Sequence, residues 1–137
     1  MTKVTKIIDK MFLNDPFSLW LGIERIAEAE GNSTLQLTVR NEMLNGFGIA
    51  HGGICYALAD SALAFSANSY GIQSVSIETS ISHTKPVKEG DILTTKVEEK
   101  SLTKRIGIYH ITIVNQRDEE VALFKGTVYR TGKEWEV

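Results

Sequence analysis

Apolar and polar residues follow two different rhythms along this chain. From Leu35 to Arg40 the period is two: Leu35, Leu37 and Val39 alternate with Gln36, Thr38 and Arg40, as in a half-buried strand. Residues 22–29 precede it across Glu30-Gly31-Asn32, so the two segments predict a hairpin. The same alternation returns after residue 73, where Val75, Ile77, Thr79 and Ile81 are interleaved with Ser74, Ser76, Glu78, Ser80 and Ser82. Three more β-rich runs, 92–101, 105–115 and 120–130, follow turns at Glu89-Gly90-Asp91, Thr103-Lys104 and Arg117-Asp118-Glu119. Elsewhere the rhythm is helical. Val4, Ile7, Ile8, Met11 and Phe12 form one face of a short helix over 3–13, and Asn14-Asp15-Pro16 restarts a helix with a capping side chain before proline. A long helix is predicted from about Gly52 to Tyr70, with Gly71 placed to stop it. It is apolar on nearly every side, which marks a core helix.

These elements assemble in one economical way. One buried helix falls between two early strands and four later ones, and hairpin-length turns imply an antiparallel sheet. The expected class is α+β: a single domain over residues 1–137, with 1–21 as an N-terminal helical segment and a curved sheet wrapped around the central helix. That arrangement is the hotdog fold.

Composition narrows the function classes. The 137 residues are 42% hydrophobic and 23% charged, enough for an unstapled core. A net charge of −2 without a long basic run gives no general attraction to nucleic acid or membrane. The single cysteine, Cys55, excludes an internal disulfide and points to a reducing compartment. The N-terminus has no unbroken apolar core of a signal peptide, and the apolar stretch 54–67 is interrupted by Asp60 and too short to span a bilayer. A cytoplasmic protein is the expectation. Three scattered histidines and one cysteine have no metal-site spacing, so no metal is expected. Cys55 reads as a packed core thiol, and His83 and His110 as structural or surface residues.

Asp60 is the anomaly. An aspartate in the middle of an apolar helix is either paired or used. Upstream stands Asn45, then His51-Gly52-Gly53 at the helix start, where the first N–H groups have no partner inside the helix. Such amides, at the positive end of the helix dipole, suit a developing oxyanion. The carboxylate would attack a carbonyl carbon or deprotonate a water, and spacing does not separate the two. Asn45 would hold the water or the carboxylate, and His51 would orient the loop.

The combination Asn-x5-His-Gly-Gly-x6-Asp within "MLNGFGIAHGGICYALADSALAFSANSYG" resembles the hotdog thioesterases of the phenylacetate-degradation (PaaI) type. The likeness extends from "LWLGI" through "SVSIETSISHTKPVKEGD" to "VALFKGTVYRTG". It implies an acyl-CoA thioesterase acting on aryl or medium acyl-CoA, phenylacetyl-like among them, to release coenzyme A from dead-end thioesters. Coenzyme A would be part of the substrate, and no separate cofactor is implied. Asn45, His51, Gly52 and Asp60 match the catalytic positions, and Gly53 a substrate-binding one. The likeness also implies that two subunits share each site, in a homodimer at least and commonly a dimer of dimers. Ser76 and Ser61 match positions beside the carboxylate, while His83 and Thr84 depart from the relatives' more apolar run. Lys85, Lys88 and Arg105, with Lys104, are candidates for the nucleotide phosphates. A non-catalytic acyl-CoA binding module and a hotdog hydratase or dehydratase are the alternatives.

Overall fold

The computed structural model describes residues 1–137. Two helices, α1 (Lys3–Leu13) and α2 (Pro16–Leu21), lead into the hairpin β1 (Glu24–Ala29) and β2 (Asn32–Thr38). A turn of 3-10 helix (Asn41–Met43) and a loop precede α3 (Gly52–Asn68), and β3 (Ile72–His83), β4 (Ile92–Leu102), β5 (Ile106–Val114) and β6 (Glu120–Glu134) complete the chain. The six strands form one antiparallel sheet in the order β1-β2-β4-β5-β6-β3. The sheet curls around α3, which packs against β2 to β6. No helix is long and apolar enough to cross a membrane.

The caps are where the local chemistry puts them. Thr2 accepts the Thr5 amide at the start of α1, and Asp15 accepts the Ser18 amide at the start of α2 with Pro16 at its first turn. Gly22 ends α2 in the left-handed conformation, so β1 begins at Glu24 rather than Gly22. The apolar side of β2, Leu35, Leu37 and Val39, is buried as its alternation predicts. In the core these side chains join Leu58, Leu63 and Phe65 of α3 and Tyr109, Ile111 and Ile113 of β5. Helix and sheet approach closely at Gly126 of β6, where a Cβ would run into the Leu63 methyl groups.

Two details depart from simple pattern. β6 continues to Glu134, through Gly132 at positive φ, beyond the expected end at residue 130. β3 shifts register at Ile72/Ser74 and at Ser76/Glu78. These irregularities break the even alternation: Ser74 is buried, while Val75 and Ile77 stay exposed at 56% and 58%. β3 is also an edge strand, twelve residues long, with β6 as its one neighbour.

Candidate active site

The start of α3 is built by its own cap. His51 is the N-cap, and its Nδ1 accepts the Gly53 N–H at 3.0 Å. Nδ1 is therefore an acceptor here, and the ring proton belongs on Nε2. Of the two glycine amides, Gly53's is thus taken within the subunit, and Gly52's makes no bond. Gly52 is the donor left for a ligand. A Cβ would be a tight fit at both glycines: one at 52 would sit 3.2 Å from His83 Nε2, and one at 53 would sit 3.3 Å from His51 Nδ1.

Asn45 organises the loop before the helix. Its Oδ1 accepts the Phe47 amide at 2.9 Å and the Ile49 amide at 3.4 Å, while its backbone pairs with Ile49 and Gly48. The carbonyl of the side chain is spent on this turn. Its amide nitrogen makes no bond within the subunit, so only that end can reach a substrate or water. Asn45, Ile49, His51, Gly52, Cys55 and His83 line one recess of about 350 Å³, closed by Thr84 to Val87. His83 is exposed, as a surface residue would be, and its ring stands at the rim of this recess. The one signal in the sequence was the polar "SHT" just before Pro86. Cys55 is buried, and burial pushes its thiol up to about 11, which keeps it protonated at neutral pH.

Asp60 lies elsewhere. It lines a second recess of about 270 Å³ with Leu63, Ala64, Ser74, Val75, Ser76 and Val128. It is half-buried and makes no hydrogen bond in its own subunit, so the local donors expected to offset its burial are missing from this chain. Burial, with the Asp15 carboxylate second, raises its pKa above the ordinary aspartate range. Ser76 lines the same recess.

The remaining candidates, Lys85 apart, lie outside both recesses. Ser61 turns to α2: Ser18 Oγ donates to Asp15 Oδ2 at 2.7 Å and so accepts from Ser61 Oγ at 2.8 Å. Ser61 thereby tethers α2 to α3, with its hydroxyl proton given to Ser18. Lys85 lines the first recess, but its ammonium holds Glu119 at 2.7 Å. Lys88 lines neither recess, and Arg105 sits at the β4–β5 turn, reaching the Arg130 carbonyl at 3.4 Å. The structure gives these two no link to the site.

Gly52 and Asp60 stand eight residues apart on one helix. At 1.5 Å per residue that is about 12 Å along the axis. One carbonyl needs its oxyanion donor and its attacking oxygen each within roughly 3 Å. Within one subunit the two groups face different recesses and cannot serve the same carbonyl.

Comparison with known proteins agrees with the fold and the motif. The Thioesterase superfamily matches residues 47–122. The chain is 39% identical to the acyl-coenzyme A thioesterase PaaI of Escherichia coli K12, over 89% of this chain and 87% of that protein. The structure of E. coli PaaI superposes with a TM-score of 0.93 at 37% identity, covering 96% of each chain. A hypothetical thioesterase of Streptococcus pneumoniae, solved with coenzyme A, superposes with a TM-score of 0.86 at 28% identity, over 93% of this chain and 99% of that one. With the hotdog architecture, the Asn-to-Asp motif and these likenesses together, the chain belongs to the thioesterase superfamily, among the acyl-CoA thioesterases of PaaI type.

Proposed function

We propose that this protein hydrolyses aryl or medium-length acyl-CoA thioesters, phenylacetyl-like ones included, at sites shared by two subunits. Asp60 of one subunit works with the Gly52 amide of the partner subunit. One observation carries the reading: a half-buried Asp60 without a hydrogen bond in its own subunit, about 12 Å along α3 from the one free glycine amide. An antiparallel pairing of two α3 helices would bring each carboxylate to the other's amide. The bare β3 edge, with Val75 and Ile77 exposed, supports such a pairing. A dimer of dimers is the assembly the family likeness implies, and light scattering measures it.

In this mechanism the thioester oxygen accepts the Gly52 N–H as the carbonyl carbon becomes tetrahedral. Helix α3 adds its positive end to that interaction. Asp60 either takes a proton from the water that adds to the carbon, or adds itself and is released from the acyl anhydride by water. Either way the C–S bond breaks and coenzyme A leaves as the thiolate, which then gains a proton. The Asn45 amide nitrogen is placed to hold the water or the carbonyl. A single turnover in ¹⁸O-water separates direct water attack, which labels the acid, from attack by Asp60 followed by opening of the anhydride at the Asp60 carboxyl carbon, which puts unlabelled oxygen into the first acid released.

Complementation tests the shared site. Asp60→Asn and Gly52→Val subunits, each inactive alone, are mixed, unfolded and refolded together. Each mixed dimer regains one intact site, from the Asp60 of one subunit and the Gly52 of the other. Coenzyme A release should recover to about a quarter of wild type, because half of the random dimers carry one site of two. No recovery, with dimers formed, would refute the shared site. A wild type that binds acyl-CoA tightly without cleaving it would favour the binding-module reading.

A further inference from the structure

We propose that His83 is a second donor to the oxyanion: its Nε2–H shares the thioester oxygen with the Gly52 amide. The proposal deepens the hydrolase reading above and rests on it.

The ring meets Gly52 by its nitrogen edge. A Cβ on Gly52 would lie 3.2 Å from His83 Nε2, 3.6 Å from Cε1 and 3.9 Å from Cδ2. Nε2 is thus the atom aimed at the glycine, and the missing side chain leaves the gap between them open. Cα–Cβ bonds and N–H groups of a helix both tilt toward its N-terminus, so the space before Nε2 is also the space before the Gly52 amide. A Cβ lies about 2.5 Å from its own backbone nitrogen, two bonds away. His83 Nε2 and Gly52 N are therefore no more than about 5.7 Å apart. Two N–H···O bonds of about 2.9 Å that share one oxygen span up to about 5.8 Å. One oxygen in this gap has both donors within reach.

The backbone under the ring is held from two sides. His83 pairs with Ala122 of β6, and the Thr84 amide donates to the Val121 carbonyl at 2.9 Å. Four residues on from His83, the Val87 carbonyl accepts the Ala50 amide at 2.7 Å, one residue before the cap of α3. The end of β3 and the start of α3 are thereby one frame.

The surroundings favour negative charge. No carboxylate lines this recess. Its one ammonium, on Lys85, is held by Glu119, and the Cys55 thiol stays protonated. The groups left to face an oxyanion are donors: the Gly52 N–H, the Asn45 amide nitrogen and the two imidazoles. His51 has Nδ1 committed to the Gly53 amide. His83 has neither ring nitrogen bonded within the subunit, and its exposed ring can offer Nε2–H. A donor placed where charge develops stabilises the tetrahedral stage more than the ground state. Water weakens an exposed donor, so the expected contribution is about tenfold in kcat, short of the hundredfold or more of an enclosed one.

The test measures kcat and KM for phenylacetyl-CoA in wild type, His83→Phe and His83→Gln. His83→Phe keeps a planar ring at the exposed rim and removes the donor. Its kcat should fall about tenfold with KM within about twofold. His83→Gln carries an amide N–H to a similar reach and should regain most of the rate. The same replacements in Asp60→Asn enzyme, which holds the thioester uncleaved, read the bond directly by difference infrared spectroscopy. The stretch of a ¹³C-labelled thioester carbonyl should move to higher frequency in His83→Phe and return in His83→Gln. Rates unchanged in both variants, or a fallen kcat with the carbonyl band unmoved, would overturn the inference and leave the hydrolase reading standing. A rise in KM alone would overturn it and assign His83 to holding coenzyme A. An acid limb of kcat/KM displaced to higher pH, at an unchanged plateau, would overturn it and pair His83 with Asp60 of the partner subunit. A wild type silent on aryl, short and long acyl-CoA alike would overturn the hydrolase reading and this inference with it.

Discussion

Replacing His51 distinguishes a ring that does chemistry from a ring that caps a helix. In the structure its Nδ1 accepts the Gly53 amide and fixes the first turn of α3, where the free Gly52 N–H projects. His51→Ala removes that cap. Loss of an N-cap costs about 1 kcal/mol, within a range of roughly 0.5–2. For a chain of this length that lowers Tm by about 3–5 °C per kcal/mol. Catalysis should lose up to the same energy, because the Gly52 donor is less well held. With tenfold per 1.36 kcal/mol, a loss of about 1 kcal/mol is roughly fivefold in kcat. That is well short of the 100-fold or more expected for complete loss of an oxyanion donor. His51→Asn supplies a cap of equal rank and should restore most of both quantities. The assays are a thermal melt by circular dichroism and coenzyme A release from phenylacetyl-CoA, with a protein-only blank for Cys55. If His51→Asn recovers Tm but leaves kcat a hundredfold down, the imidazole acts on substrate directly and the capping argument fails.

Three further outcomes follow from the geometry. Asp60→Asn should abolish hydrolysis and raise Tm at neutral pH: the folded pKa is raised, so ionised Asp60 disfavours the fold above its unfolded pKa. Melts at pH 4 and pH 8 check it, with the gain larger at the higher pH. Asp15→Asn keeps a capping side chain but removes the charge that helps raise the Asp60 pKa, so the acid limb of the kcat/KM profile should move to lower pH. Gly126→Ala should destabilise by about 1–3 kcal/mol in a denaturant titration, because the new methyl meets Leu63, and Leu63→Val in the same chain should return part of that loss.

Much of this molecule can be read from period and punctuation. The amphipathic face of α1, the alternation of β2 and the apolar run of α3 each name their element, because burial is decided within a few neighbouring residues. The same holds for Asp60, conspicuous for its surroundings, and for the glycines at the helix start. What spacing conceals depends on distant partners. Ser61 looks free until Ser18, 43 residues earlier, takes its hydroxyl. The ion pair of Lys85 with Glu119, 34 residues on, is likewise invisible in local spacing. Simple alternation along β3 conceals two register shifts that bury Ser74 and leave Val75 and Ile77 outside.

Under the shared-site mechanism proposed above, the separation of Asp60 from Gly52 also governs when activity begins. A chain that has folded but not yet met another holds both reacting groups and can use neither on one carbonyl. Its twelve-residue β3 edge is meanwhile open to pairing. Activity regained on refolding should then lag behind the return of secondary structure, and the lag should shorten in proportion to protein concentration. Birth of the catalyst becomes a bimolecular event, timed by encounter rather than by folding.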